Sequence, residues 1–258
     1  MQNIGLFALL GLGEGALIAA LAISVVVFYR GSGTVNLSMG AIAMVASYLN
    51  YSFGAGTFGF TPPGWLALLL TLAVIAVLGT IIEFGLFWPL RTSSPLAKLA
   101  ASLGLLLLAQ ALIAIIYGNS TLSPTSILPG GPVHVLGKVV PADRLWLALI
   151  VVVLAVVLWA VYRFSPFGLA TRAAAESEPF AMYAGLSPRR LSLANSLLAS
   201  IIAGAFGILV APLITLNTTQ LPLEIVPALG AALFAGFSSL GVACFAGLAM
   251  GAGASLLN

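Results

Sequence analysis

Charge is scarce in this chain: only 6% of its 258 residues are charged, against 61% that are hydrophobic. So few polar side chains cannot coat a water-soluble globule, so a soluble fold is excluded and a membrane protein is expected. There is one cysteine, Cys244, which rules out an internal disulfide framework or thiolate metal site. Its apolar surroundings, GVACFAGLAMGAG, give it a packing role. The one histidine, His134, stands among prolines, so Ser–His catalysis has no base, and the scattered carboxylates offer no metal site. Lys98 and Lys138 are the only lysines, and neither completes G-x-x-x-x-G-K-[ST]. The chain therefore does not bind ATP through a phosphate-binding loop. GAGTFG (54–59) fits G-x-G-x-x-G by letter, yet nothing before it reads as a strand, so no dinucleotide site is expected. The basic residues are scattered between apolar runs and form no patch, which excludes a nucleic-acid partner.

What is present is a series of apolar runs. About 20 helical residues cross ~30 Å of hydrocarbon. On that measure spans fall near 5–29, 34–53, 65–88, 96–117, 144–163 and 191–212, and a last region, 225–257, is broken at GFSSLG. Counting the halves of that region separately gives about eight segments. The runs are too long for barrel strands and do not alternate, so the fold class is all-α: a polytopic transmembrane helical bundle with broken or re-entrant helices. With the N-terminus outside, Arg30, Arg91, Lys98, Arg163, Arg172, Arg189 and Arg190 fall on one side, and only Lys138 and Arg144 on the other. The first side is then cytoplasmic, provided that 34–53 crosses.

Two connections are longer than turns. Residues 118–143 are rich in Pro, Gly, Ser and Thr and suit an irregular outer cap or a short hairpin. Residues 164–190 contain TRAAAESEPFAMYAGL, whose helix formers and early acids predict a short surface helix ending at Gly185. Among intramembrane acids, Glu14 lies about nine residues into the first run, as a pathway or proton site, as a protonated carboxyl bonded to a neighbouring helix, or in a first span that begins later; Glu83 is expected to snorkel or pair with Arg91. Gly11 with Gly15 and Gly247 with Gly251 have the four-residue spacing of close helix packing. The sequons at Asn50, Asn119 and Asn217 are read as ordinary loop polarity.

The stretch RGSGTVNLSMG interrupts apolar sequence with Gly31, Gly33, Asn36 and Ser38. Unwound backbone is tolerable in a bilayer only beside protein or a water-lined path. Asn36 and Ser38, with Gln110 as a partner from the fourth span, are therefore candidate path residues; the alternative is a plain cytoplasmic turn with Asn36 as helix cap.

Four ordered blocks, YRGSGTVNLSMG, PLRTSSPLAKLAASLGLLLLAQ, GLATRAAAESEPFAMYAGLSPRRLSLANSLLASIIAGAFGIL and ALGAALFAGFSSLGVACFAGLAMGAG, resemble the membrane permease subunits of branched-chain amino acid type ABC importers. The resemblance implies a non-catalytic permease subunit in a bacterial or archaeal plasma membrane, forming part of a translocation path. ATP-Mg would be bound by separate cytoplasmic ATPase subunits. A second homologous permease and a periplasmic or lipid-anchored substrate-binding protein would complete the complex. The third block corresponds to an ATPase-coupling loop, matching at Arg172, Glu176, Ala181 and Gly185 and including Glu178. Where the family has His-Gly-Glu, this chain has Met39, Gly40 and Ala41, and NLSMG also resembles sugar permeases. Branched-chain amino acids, urea, amides and sugars thus stand as cargoes, with a secondary transporter or channel as the other class. The chain is expected to be a single permease domain, 1–258, lacking the final helix with which such permeases end.

Overall fold

Three of the helices start at a Ser-Pro pair, at Pro95, Pro166 and Pro188. Proline has no N–H to lose at the first helical position, and a preceding serine oxygen can take up one of the free amides of the first turn. In the computed structural model, which describes residues 10–57, 59–118, 121–135 and 138–257, the side chain of Ser94 accepts from the Ala97 amide at 3.3 Å and that of Ser165 from Gly168 at 3.2 Å. The chain runs α1 (Leu12–Ser32), α2 (Met39–Gly54), α3 (Gly64–Ile82) continued by a π turn (Glu83–Phe87), a 3-10 turn (Pro89–Thr92) and α4 (Pro95–Tyr117). After the hairpin β1 (Pro132–Val135) and β2 (Lys138–Pro141) come α5 (Ala142–Phe164), α6 (Pro166–Glu176), α7 (Glu178–Tyr183), α8 (Pro188–Ile214), α9 (Gln220–Leu223), α10 (Ile225–Phe234) and α11 (Leu240–Leu257).

This is the polytopic helical bundle expected. Leu12–Ser32, Gly64–Phe87, Pro95–Tyr117, Ala142–Phe164 and Pro188–Ile214 are long and apolar enough to cross a membrane. The other predicted segments are shorter: α2 has 16 residues, because 33–38 leave the helix, and the last region divides into α10 and α11. Residues 5–9 of the first predicted span, Asn119 and Asn258 lie outside the described residues, as do the side chains of His134 and Lys138. The 118–143 connection forms the hairpin, with Pro132 opposite Pro141, and Leu122 bridges to Leu216.

The spans differ in what surrounds them. Within α1, 83% of the apolar window is buried, against 17% in α4. Small residues make that possible. A Cβ on Gly11 would stand 2.5 Å from the Gly251 carbonyl oxygen, and one on Gly251 would run into the Gly15 backbone. Both predicted glycine pairs therefore meet in one seam, with α11 antiparallel to α1. On another face, Gly13 meets Leu213 and Gly31 meets Asn195, so α8 is also antiparallel to α1. Glu14 lies half-buried in the first turn of α1, which starts at Leu12, as in the reading that has the first span begin later.

Candidate translocation and coupling sites

The first break begins where Gly33, in the left-handed region (φ 66°), caps α1 by donating to the Tyr29 carbonyl at 2.8 Å. Asn36 then folds the chain on itself. Its Oδ1 accepts from the Ser38 amide at 2.9 Å and from the Ser38 hydroxyl at 2.6 Å, and α2 starts at Met39. Asn36 and Ser38 are fully buried, and the Asn36 Nδ2 has no partner. Gly40, just inside α2, faces the Pro222 carbonyl, where a Cβ would come within 2.5 Å. The turn is thus enclosed by protein. Its partner from α4 is Ser102, whose hydroxyl accepts from the Leu37 amide at 3.3 Å. Gln110 stands eight residues further along α4, about 12 Å, and is half-buried. Sequence reasoning passed over Ser102 because a serine can satisfy itself on its own helix, as its bond to the Leu99 carbonyl at 2.8 Å shows.

The second break, between α10 and α11, packs against the arginine-bearing end of α1. Gly236 and Phe237 take φ 56° and 52°, Phe237 stacks on Tyr29 at 4.8 Å, and Arg30 donates to the Ser238 carbonyl. Arg30 also lies 4.6 Å over the Tyr162 ring. The Tyr162 hydroxyl donates to Asn195 Oδ1, and the Asn195 amide donates to the Leu191 carbonyl at 2.7 Å and to Thr171 Oγ1 at 3.4 Å. One buried polar web thereby joins α1, α5, α6, α8 and the second break.

The 164–190 connection projects from this end. A single helix over TRAAAESEPFAMYAGL is corrected to two, α6 and α7, parted at Ser177, which is extended (φ −156°). Pro179 explains the division: it cannot donate to residue 175, and its ring would clash there. The predicted end holds. Gly185 takes φ 79°, its amide donates to Met182 and that of Leu186 to Ala181, both at 3.0 Å, in the manner of a glycine C-cap. Arg172 and Glu176 are exposed on α6, while Ala181 is the buried residue of α7. Phe180 and Tyr183 are 75% and 88% exposed, so α7 presents aromatic rings outward.

Glu83 does not pair with Arg91. It is buried in the π turn and accepts from the Ser192 hydroxyl at 2.5 Å, leaving Oε2 without a partner. The wide turn brings the Trp88 amide to the Glu83 carbonyl at 2.7 Å and points the carboxylate toward α8. Arg91 instead lies over the Trp88 ring at 4.7 Å and reaches Glu178 at 2.5 Å, fastening the start of α7 to the α3–α4 connection.

Residues 7–258 match the family model described as "Branched-chain amino acid transport system / permease component". Neither the curated proteins nor the solved structures yield a match to this chain.

Proposed function

Since the chain belongs to the family of branched-chain amino acid transport permease components, we propose that it is the membrane-spanning subunit of an ABC importer for branched-chain or related amino acids in a bacterial or archaeal plasma membrane. Separate cytoplasmic ATPases bind ATP-Mg and drive it. A second permease completes the path, and a substrate-binding protein delivers cargo. The observation that carries this reading is the projection α6–α7, anchored by Ala181 and the Arg91–Glu178 pair and presenting Phe180 and Tyr183 outward. Nucleotide-dependent closure can reach a bundle only through an element that docks on the moving partner, and an anchored helix with an apolar outer face meets that requirement.

The test is transport by the complete complex in proteoliposomes. Inactive ATPases should abolish uptake, whereas undiminished uptake would move the chain to the secondary-transporter or channel class. Gly185→Ile forces a β-branched residue to positive φ, and Glu176→Arg reverses an exposed charge on α6; both should uncouple ATP hydrolysis from uptake while insertion stays intact. Full association and full coupling in both variants would remove the docking role. For the path, Asn36 is the stronger candidate of the three, because its unpartnered, buried Nδ2 can serve a neutral polar cargo. Cysteines at 36 and 38 should react with small aqueous thiol reagents only while nucleotide is turning over. Silence in every nucleotide state would refute the assignment. Uncharged donors serve urea, amides or sugars as well as amino acids, and competition by each cargo for uptake decides among them.

A further inference from the structure

A cavity of about 700 Å³ opens beside α6 at the arginine-bearing end of the bundle. Four cations, Arg30, Arg91, Lys98 and Arg172, line it with only two carboxylates, Glu176 and Glu178. One carboxylate is already engaged, since Glu178 pairs with Arg91. Arg30 is held by the Ser238 carbonyl and the Tyr162 ring, neither of which carries a compensating charge. The Arg91 Nη1 is buried without a partner. Partly desolvated guanidinium groups in excess over carboxylates leave a site that an oxyanion would neutralise, with fork-shaped donors matched to phosphate. Tyr29 and Phe237 add an apolar wall beside the charged one. The end is the one that the distribution of basic residues assigns to the cytoplasmic leaflet, where anionic lipids concentrate and basic pockets between helices hold their headgroups.

We propose that this cavity is a binding site for a phosphate-bearing anion, supplied either by a phospholipid headgroup or by soluble phosphate. The occupant would bridge α6 to α1 and the second break. The cavity shares Arg172, Glu176 and Glu178 with the coupling projection, but its test needs no ATPase, so its failure is distinguishable from failure of the docking role. The purified full chain in neutral detergent is melted against dioctanoyl phosphatidylglycerol, dioctanoyl phosphatidylcholine and inorganic phosphate. A saturable rise in the melting midpoint with phosphatidylglycerol but not phosphatidylcholine is expected. If inorganic phosphate gives the same rise, soluble phosphate is the ligand; if it does not, the lipid is. Lys98→Gln should weaken the saturating anion roughly tenfold, and Lys98→Arg should retain it. On the unmutated chain, the anion should also slow amine-reactive labelling of Lys98 relative to Lys138, read by peptide mapping, which removes any dependence on a variant that folds poorly. No saturable rise with either anion, equal affinity in Lys98→Gln and the parent, or unprotected labelling of Lys98 would each overturn the proposal.

Discussion

Helix α1 has 21 residues at a hydropathy of 2.0, and α4 has 23 at 2.5, yet 83% of the first window is buried and only 17% of the second. The less apolar helix lies at the centre. In water that order would be reversed. In a bilayer the surroundings are as apolar as leucine, so hydrophobicity cannot drive a helix inward; close backbone approach and polar bonds between helices do. Helix α1 offers Gly13, Gly15, Ala16, Ala19 and Ala20 for such approach, whereas α4 turns Leu103, Leu107, Leu108, Leu112, Ile115 and Ile116 outward. Side-chain size, read along an apolar run, therefore sorts centre from periphery.

The sharpest way to break this contrast is to place the same side chain in both settings. Gly251 sits on the Gly15 backbone, which has nowhere to move, while a Cβ on Gly104 of α4 has nothing within 4 Å. Gly251→Leu should cost about 3 kcal/mol or prevent assembly of the bundle, as overpacking does. Gly104→Leu should be neutral or stabilise by up to about 1 kcal/mol through helix propensity. Melting midpoints in detergent decide the matter, and equal losses in the two variants would dissolve the distinction between centre and periphery.

A smaller effect is expected from polar groups. Tyr162→Phe keeps the ring under Arg30 but deprives the buried Asn195 Oδ1 of its donor, at a cost of about 1–3 kcal/mol. Gln110→Leu, at a half-buried position on the peripheral α4, removes an amide with no such role and should shift stability by about 0.5 kcal/mol or less. A larger loss from Gln110→Leu than from Tyr162→Phe would place a second polar seam along α4.

How far the sequence alone carries depends on the range of each interaction. Local signals were legible. The Gly185 end, the break at GFSSLG and the two glycine pairs all act over a few residues or between repeated small side chains. Non-local partners were not. Arg91 passes over Glu83, eight residues away, for Glu178, because a π turn that no composition signal marks carries Glu83 to Ser192. Likewise the 33–38 turn is held by Ser102 and faced by Pro222, residues whose proximity only the packing of α4 and α9 creates. Of the candidate site, the end of the loop at Gly185 could be read from its own residues, whereas its division at Ser177 was missed although Pro179 signals it locally. The enclosure of Asn36 could not be read locally.

The smallest expected effect tests where the contrast ends, at the water-facing start of α4. Arg91 and Glu178 are 30% and 40% exposed, so solvent screens their attraction even at an N···O separation of 2.5 Å. A double-mutant cycle with Arg91→Gln and Glu178→Gln should give a coupling energy of about 0.2–1 kcal/mol in melting experiments, and raising the salt should diminish it. Transport should respond differently, because the pair fixes where α7 begins: either single variant should lower uptake per ATP hydrolysed while the midpoint hardly moves. If the coupling energy instead exceeds about 2 kcal/mol and ignores salt, the pair is desolvated like the α1 seam. The start of α4 would then belong to the centre of the molecule, and the boundary drawn between small-residue core and leucine-rich periphery would have to run along α4 itself.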